Sequence, residues 1–226
     1  MRTCIVSFFM PNIHPATVEL QSKVVEKFNK SKLPHLKVQC PMWTKVDNPG
    51  DDMDEFMRMN DSDPNLKYDA FIIVDIDCVP VSDKTFDYMV EKISQGYLVG
   101  NIQRSNHIEN NKHVFCAPNL IGFSLETFNK MGRPTFRETT RGDTAEELTY
   151  KAEENGIPIE MWMPARYEAA PVECEYWPLA DGMPVYGIGT TFTIPGIGDA
   201  SYHNFQIRIP GNQKRFASKC EAILAS

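Results

Sequence analysis

Several common functional signatures are missing from this sequence of 226 residues. Its six cysteines lie far apart and form no Cys-x-x-Cys pair, which excludes a zinc-ribbon pattern and a compact disulfide framework. We therefore expect reduced, partly buried thiols of a cytosolic protein. No apolar run approaches the roughly 18 residues of a membrane-spanning helix, and no signal peptide precedes Cys4, so no membrane span is expected.

An excess of basic residues is missing as well. The formal net charge is −7, which argues against a nonspecific grip on nucleic acid because such binding needs clustered Lys and Arg. A local basic groove is still compatible with this charge. The sequence contains no internal repeat, low-complexity segment or clear linker, and we expect one globular domain spanning residues 1–226.

An apolar stretch in the first half of the chain is the strongest structural signal. Residues 70–74, Ala-Phe-Ile-Ile-Val, are rich in β-branched side chains and predict a fully buried strand. Asp75 and Asp77 end this strand, and Pro80, which cannot donate to a sheet ladder, marks its limit. Because alternate strand residues point to the same side, both carboxylates are expected to face one way.

Two adjacent anions of this kind indicate a metal site. They repel each other unless a cation lies between them, and hard oxygen ligands suit Mg²⁺ or Mn²⁺, with the phosphates of a ligand completing the shell. The alternative is that Asp-x-Asp, which occurs by chance in loops, merely caps a turn. Its position directly after a buried strand favours the metal site.

The order of the remaining segments predicts an α/β fold. Strands and helices are expected to alternate in the first half, with strands over residues 3–9, 36–40, 70–74 and 97–102. Alternation of this kind is typical of a mainly parallel sheet flanked by helices, in which ligands bind beyond the carboxyl ends of the strands. The acidic segment 47–63 is expected to be a loop with at most a short helix around residues 55–59. A hairpin is expected over residues 185–194.

A second polar stretch carries an acidic helix start. Asp143 lies where a helix N-cap belongs, and Glu146 follows three positions later, which predicts a capping box. A carboxylate at a helix start beside the edge of the sheet could also take a proton from an acceptor hydroxyl. Both interpretations of Asp143 stay open.

Taken in this order, the segments resemble the GT-A class of nucleotide-sugar-dependent glycosyltransferases, especially small single-domain forms encoded by large viruses and phages. The resemblance spans most of the chain. It rests on the first strand CIVSFF, Asp75-Ile-Asp77, the segment PNLIGFS, the helix start at Gly142-Asp143 and the late His203. It implies an α/β, GT-A (Rossmann-like) fold with a mostly parallel central sheet and a small antiparallel or irregular C-terminal part. Residues 1–103 would form the nucleotide-binding half and residues 104–226 the acceptor-side half.

The resemblance also implies roles for individual residues. Asp75 would face the ribose or the metal, Asp77 would bind Mn²⁺ or Mg²⁺ directly, and His203 would be a late ligand of the metal or the diphosphate. Arg208 would offset phosphate charge. The nucleoside base would be held by residues at the ends of the first two strands, namely Ser7, Phe8, Phe9 and Trp43.

Asp143 matches the place of the acceptor-activating base in inverting members of the class. Many members carry an acidic pair before the helix, whereas here Gly142 precedes Asp143 and the pair Glu146-Glu147 lies inside the helix. The identity of the base, and inversion against retention, therefore stay open, with inversion favoured.

The implied reaction moves a hexose or pentose from a nucleotide-diphosphate sugar, with a UDP-sugar favoured, to an acceptor hydroxyl. The acceptor would be a glycan or another hydroxyl compound, a modified DNA base included. The resemblance is compatible with a cytoplasmic protein, in the cytoplasm of a host if the source is viral.

Two other hypotheses fit the same residues. Asp75-Ile-Asp-Cys-Val79 also matches the Asp-x-Asp-x-Thr/Val motif of Mg²⁺-dependent phosphatases of the haloacid dehalogenase class, where Asp75 would be the nucleophile and Asp77 the general acid. That motif normally lies near the start of a chain, whereas a strand–helix–strand unit precedes it here. The other hypothesis is a nucleotide-sugar-binding module without turnover.

Overall fold

Strands and helices alternate along the chain, of which the computed structural model describes residues 1–42, 48–105, 112–168, 176–179, 183–208 and 211–226. The strands in these residues are β1 (Thr3–Phe9), β2 (His35–Gln39), β3 (Ala70–Val74), β4 (Cys78–Pro80), β5 (Leu98–Arg104), β6 (Val114–Ser124), β7 (Ile159–Tyr167), β8 (Tyr176–Pro178), β9 (Val185–Gly187), β10 (Thr190–Ile194) and β11 (Gly198–His203). The helices are α1 (Pro15–Phe28), α2 (Pro49–Ser62), α3 (Lys84–Ser94), α4 (Leu125–Lys130), α5 (Glu146–Glu154) and α6 (Asn212–Ala225).

The strand β3 lies in the core, as its apolar run predicts. Every residue of β3 is buried. Phe71 and Ile73 pack into one hydrophobic cluster with side chains of α2, α4 and α5, while Ile72 and Val74 pack into a second cluster with α3. A strand covered on both faces needs apolar side chains at every position, which explains the absence of alternation in this run.

The main sheet contains nine strands in the order β2-β1-β3-β6-β5-β7-β10-β11-β4. β1 pairs in parallel with β2 and β3, β5 pairs in parallel with β7, and the other neighbours are antiparallel. Consequently β2, β1, β3, β5, β7 and β11 run in one direction, and only β6, β10 and β4 run in the other. The prediction of an α/β fold with a mostly parallel central sheet between helices is confirmed.

The sheet curls so that its far edge returns to its centre. β4 is the last strand in the sheet, yet only residues 75–77 separate it from β3 along the chain. The expectation of one strand reaching to Pro80 is wrong, because β3 ends at Val74 and the chain turns before β4. Pro80 instead ends the edge strand β4, where a residue without an N–H group is tolerated.

The acidic segment expected to be mainly a loop forms the full helix α2. Asn48 caps this helix in a capping box with Asp51, and Pro49 occupies its first turn. Proline at the first helical position and acidic residues in the first turn both stabilise a helix start. Pro49 and the acidic residues, which are also common in loops, therefore mark the start of a helix here.

The hairpin expected over residues 185–194 is also wrong. β9 pairs with β8 in a separate two-stranded sheet, whereas β10 pairs with β11 and β7. The actual hairpin joins β10 to β11, and Gly196 in its turn has a φ of 72°, a left-handed conformation that favours glycine.

The described cysteines are all free and buried, in agreement with reduced thiols; they are Cys4, Cys40, Cys78, Cys116 and Cys220. Among the described residues, none of the helices combines the length and the apolar character that crossing a bilayer demands.

Candidate metal centre

Two segments that are distant in sequence meet beyond the carboxyl end of β3. The first is the turn of residues 75–77, and the second is the end of β11 with the loop that follows it. Antiparallel pairing of β11 with β4 places His203 opposite Cys78. The N–H group of Asn204 donates to the carbonyl oxygen of Asp77 at 2.9 Å. The curl of the sheet therefore brings the late histidine to the two aspartates.

Asp75, Asp77 and His203 form a compact cluster of metal-ligating side chains. Each offers one ligand atom, and these atoms lie within 4.8 Å of one another. His203 Nε2 is 2.9 Å from Asp77 Oδ1, and the N–H group of Ile207 donates to Asp77 Oδ2 at 3.3 Å. Asp77 and His203 are 4% and 5% exposed, and Asp75 is partly buried.

The electrostatics of this cluster favour a cation. Burial, and next the negative charge of Asp77, raise the pKa of Asp75 to about 7, although His203, the N–H group of Ile76 and Arg208 oppose the rise. A carboxyl group in this environment keeps a proton near neutrality unless another positive charge replaces it. Carboxylate oxygens suit Mg²⁺ and Mn²⁺, and imidazole is a common ligand of transition metals, so the donor set fits a divalent cation.

A cleft of about 240 Å³ opens beside this cluster and includes all three side chains in its lining. Part of its apolar lining comes from β1 with the loop after it, from α2 and from β3: Phe8, Phe9, Met10, Ile13, Met53 and Ile73. The rest comes from the start of α2, the turn after β3, β6 and the loop after β11: Pro49, Ile76, Phe115, Pro118, Phe205 and Ile207. Its other polar lining comes from β5, β6 and two loops: Gln103, Asn119, Asp143, Thr144, Gln206 and Arg208. Rings, carboxylates, amides and a guanidinium thus face one space.

Most of the residues predicted for the site meet in this cleft. Phe8, Phe9, Asp143 and Arg208 line it together with the metal-ligating cluster. Arg208 is exposed there, while Phe8 is buried. Trp43 lies outside the described residues.

Ser7 is the predicted residue that the structure does not bring into the cleft. It is fully buried, accepts a hydrogen bond from Gln21 Nε2 at 3.0 Å, and lies with its hydroxyl oxygen 3.1 Å from His35 Nε2. Burial, and next the charge of Lys37, lower the pKa of His35 to about 4, so this ring is neutral. Ser7 and Phe8 point to opposite sides of β1, as neighbours in a strand do.

Asp143 lies in the cleft but does not cap α5. The helix begins at Glu146, and the residue at the N-cap position is Ala145, in a left-handed conformation with φ 63°. Asp143 Oδ1 accepts from the N–H group of Thr144 at 2.7 Å. Glu146 Oε2 accepts from the N–H group of Asp143 at 2.7 Å, so the returning half of the predicted capping box is present.

Sequence reasoning missed several residues of the cleft. Asn119 lies within the PNLIGFS segment, but the resemblance that this segment supports assigns no role to any of its residues. Ile207 contacts Asp77 through its backbone N–H group, and Gln103 ends up in the cleft because β5 pairs with β6. Backbone contacts and sheet order leave no signal in residue type.

No protein-family model and no curated protein matches the sequence. Similar solved structures include a protein from STIV, at 16% identity and a TM-score of 0.43, covering 71% of this chain and 82% of that chain. Another is a mutant Drosophila β-1,4-galactosyltransferase 7 in complex with manganese, UDP-Gal and xylobiose, at 13% identity and a TM-score of 0.47, covering 70% and 64%. A third is a protein from Desulfovibrio desulfuricans, provisionally described as a nucleotide-diphospho-sugar transferase, at 12% identity and a TM-score of 0.40, covering 71% and 79%. The chemistry of the site is therefore inferred from its own side chains.

The raised pKa of Asp75 predicts how cation binding depends on pH. Without metal, ionisation of Asp75 destabilises the folded protein, because its pKa is above 3.8, the ordinary value for an aspartate. Stability should therefore fall as the pH rises towards about 7.

A cation replaces this proton, so Mn²⁺ should raise the melting temperature more at about pH 8 than at about pH 6. Thermal unfolding with EDTA and with Mn²⁺ measures this, and Asp75→Asn should reduce the loss of stability that occurs with EDTA as the pH rises towards about 7. An equal or larger shift at the lower pH contradicts the account.

Proposed function

We propose that the protein is a metal-dependent glycosyltransferase that moves a sugar from a nucleotide-diphosphate donor, a UDP-sugar in first place, to an acceptor hydroxyl. The observation that carries this proposal is the cluster of Asp75, Asp77 and His203 in the lining of a cleft that also holds aromatic rings, an arginine and a further carboxylate.

The metal-ligating cluster would hold the donor through its diphosphate. Asp77 and His203 would bind Mn²⁺ or Mg²⁺ directly, and Asp75 would join them or face the ribose. When bound, the cation supplies positive charge against the negative charge that develops on the departing nucleotide. Arg208 supports the same task, since its charge already acts on Asp75.

The apolar lining would bind the nucleoside. Phe9 is partly exposed and offers aromatic surface at the end of β1, on which a base can pack. Phe8 lines the same end of the cleft but is buried, so it would support the base from within the lining. Ser7 does not line the cleft, so it would support the base-binding end of β1 only from the interior of the protein. For Trp43 the proposal remains a contact with the base.

Asp143 is the proposed general base. Its carboxylate would accept the proton of the incoming hydroxyl while the bond between the sugar and the leaving phosphate oxygen breaks. A direct displacement of this kind inverts the configuration of the sugar. The acceptor would be a glycan hydroxyl or another hydroxyl, and a modified DNA base is a further candidate.

The other two hypotheses find less support in the geometry. A phosphatase of the haloacid dehalogenase class needs Asp77 as a proton donor, but this side chain is buried and already engaged by His203 and Ile207. A module without turnover has no need for a further carboxylate, Asp143, in the lining of the same cleft.

Calorimetric titration tests the donor class. UDP-, GDP-, TDP- and CDP-sugars are titrated with and without Mn²⁺ into the wild type, Asp77→Ala and the exposed control Asp83→Ala. One nucleotide class should bind, only with metal, and Asp77→Ala should lose at least the roughly 10- to 100-fold that removal of an outer-shell partner costs a metal site. The control should bind as the wild type does. Equal binding by Asp77→Ala excludes the proposed role of this residue.

Substitution of Asp143 tests the proposed base. Asp143→Asn keeps an oxygen for the N–H group of Thr144 but cannot accept the proton, so turnover should fall by about 100- to 10,000-fold while donor affinity stays nearly constant. The rate is measured as release of nucleotide from the donor identified by calorimetry. Glu147→Gln is the matched control, because the Glu147 carboxylate is already paired with Arg141. A larger loss in the control than in Asp143→Asn would transfer the role of base to the acidic pair.

A further inference from the structure

An amide side chain beside the metal-ligating cluster carries a donor group for which the described part of the chain offers no acceptor. Asn119, in β6, lines the cleft and is 2% exposed. Its backbone oxygen accepts from the N–H group of Asp75 at 2.9 Å. Its Oδ1 accepts from Asn101 Nδ2 at 2.9 Å, whereas its Nδ2 has no hydrogen-bond partner among the described residues. A buried donor in this state is costly, so it indicates a ligand group that supplies the acceptor.

Buried side chains continue the hydrogen bonding of this amide into the core. Ser201 Oγ donates to Asn101 Oδ1 at 2.8 Å, and Asn101 Nδ2 donates to Asn119 Oδ1 at 2.9 Å. Among the described residues, none accepts from the NH₂ group of Asn119. Ser201 and Asn101 are fully buried.

The position of Asn119 in the cleft indicates which part of the nucleotide-sugar donor it would contact. Leu120 pairs with Val74 at the end of β3, so Asn119 lies next to Asp75, while Phe115 and Gln103 pair farther along β6 and β5. Asn119 thus lies in the lining between the metal-ligating cluster and the β5 side of the cleft. A diphosphate held at the cluster would place the sugar bonded to it over this part of the lining.

We propose that Asn119 is a specificity residue for the transferred sugar, and that its Nδ2 donates a hydrogen bond to a hydroxyl oxygen of that sugar. The site would then prefer a nucleotide sugar to the free nucleoside diphosphate. This inference rests on the proposed function and deepens it.

A comparison of two probes tests the role of Asn119. The nucleotide sugar that binds best among the UDP-, GDP-, TDP- and CDP-hexoses, and the corresponding nucleoside diphosphate, are titrated calorimetrically in the presence of Mn²⁺. Asn119→Ala removes the donor without adding charge beside Asp75, so it should bind the nucleotide sugar about 3- to 10-fold more weakly. Its affinity for the nucleoside diphosphate should stay within about twofold. Asn119→Leu, which removes the donor and keeps a side chain of similar size, should show the same selective loss.

The matched control is Asn60→Ala, which removes a paired donor of a similarly buried amide that lies outside the cleft. It should lower the melting temperature and leave the ratio of the two affinities unchanged. Equal losses for both probes in the Asn119 variants would show a packing role and overturn the inference, as would wild-type affinities in Asn119→Ala. If the wild type binds no nucleotide with metal, the proposed function fails as well; binding with an unchanged ratio overturns only the role of Asn119.

Discussion

Repulsion between two carboxylates at the end of a buried strand is the constraint on which the site depends. Asp75 and Asp77 cannot move apart, because β3 is packed on both faces and the turn between them leads directly into β4. Two features reduce this repulsion: His203 of β11 contacts Asp77, and the pKa of Asp75 is raised to about 7, so that Asp75 keeps a proton below that pH. A divalent cation bound between these side chains would neutralise their charge better than a proton does.

The elements that could be predicted from the sequence are those with a local cause. β1 and β3 are apolar runs because both faces of the sheet are covered; the predicted bounds of β1, residues 3–9, are those observed, and the apolar run 70–74 is β3 without the extension towards Pro80. The sequence predicts too short a helix for α2, because Pro49 and its acidic neighbours are typical of loops as well as of helix starts. The predicted hairpin over residues 185–194 is wrong because β9 pairs back to β8 and β10 pairs forward to β11, so each half of this segment pairs with a strand outside it.

The same distinction holds for the site. Asp75 and Asp77 follow from their place after a buried strand, whereas His203, Arg208 and Phe8 came only from the resemblance to a known class. Their meeting in one cleft depends on the curl of the sheet, which no short motif encodes. Asn119 has no signal in the sequence for a related reason, since the role proposed for it rests on one N–H group that is unpaired among the described residues rather than on its residue type.

The central claim is that this cluster holds a divalent cation that can carry a diphosphate. The most direct measurement is anomalous scattering from crystals grown with Mn²⁺ and the nucleoside diphosphate that binds best. The account predicts one ion at about 2 Å from a carboxylate oxygen of Asp77 and a nitrogen of His203, with phosphate oxygens in the remaining positions. An ion bound elsewhere in the cleft, with Asp77 and His203 still bonded only to each other, would contradict it.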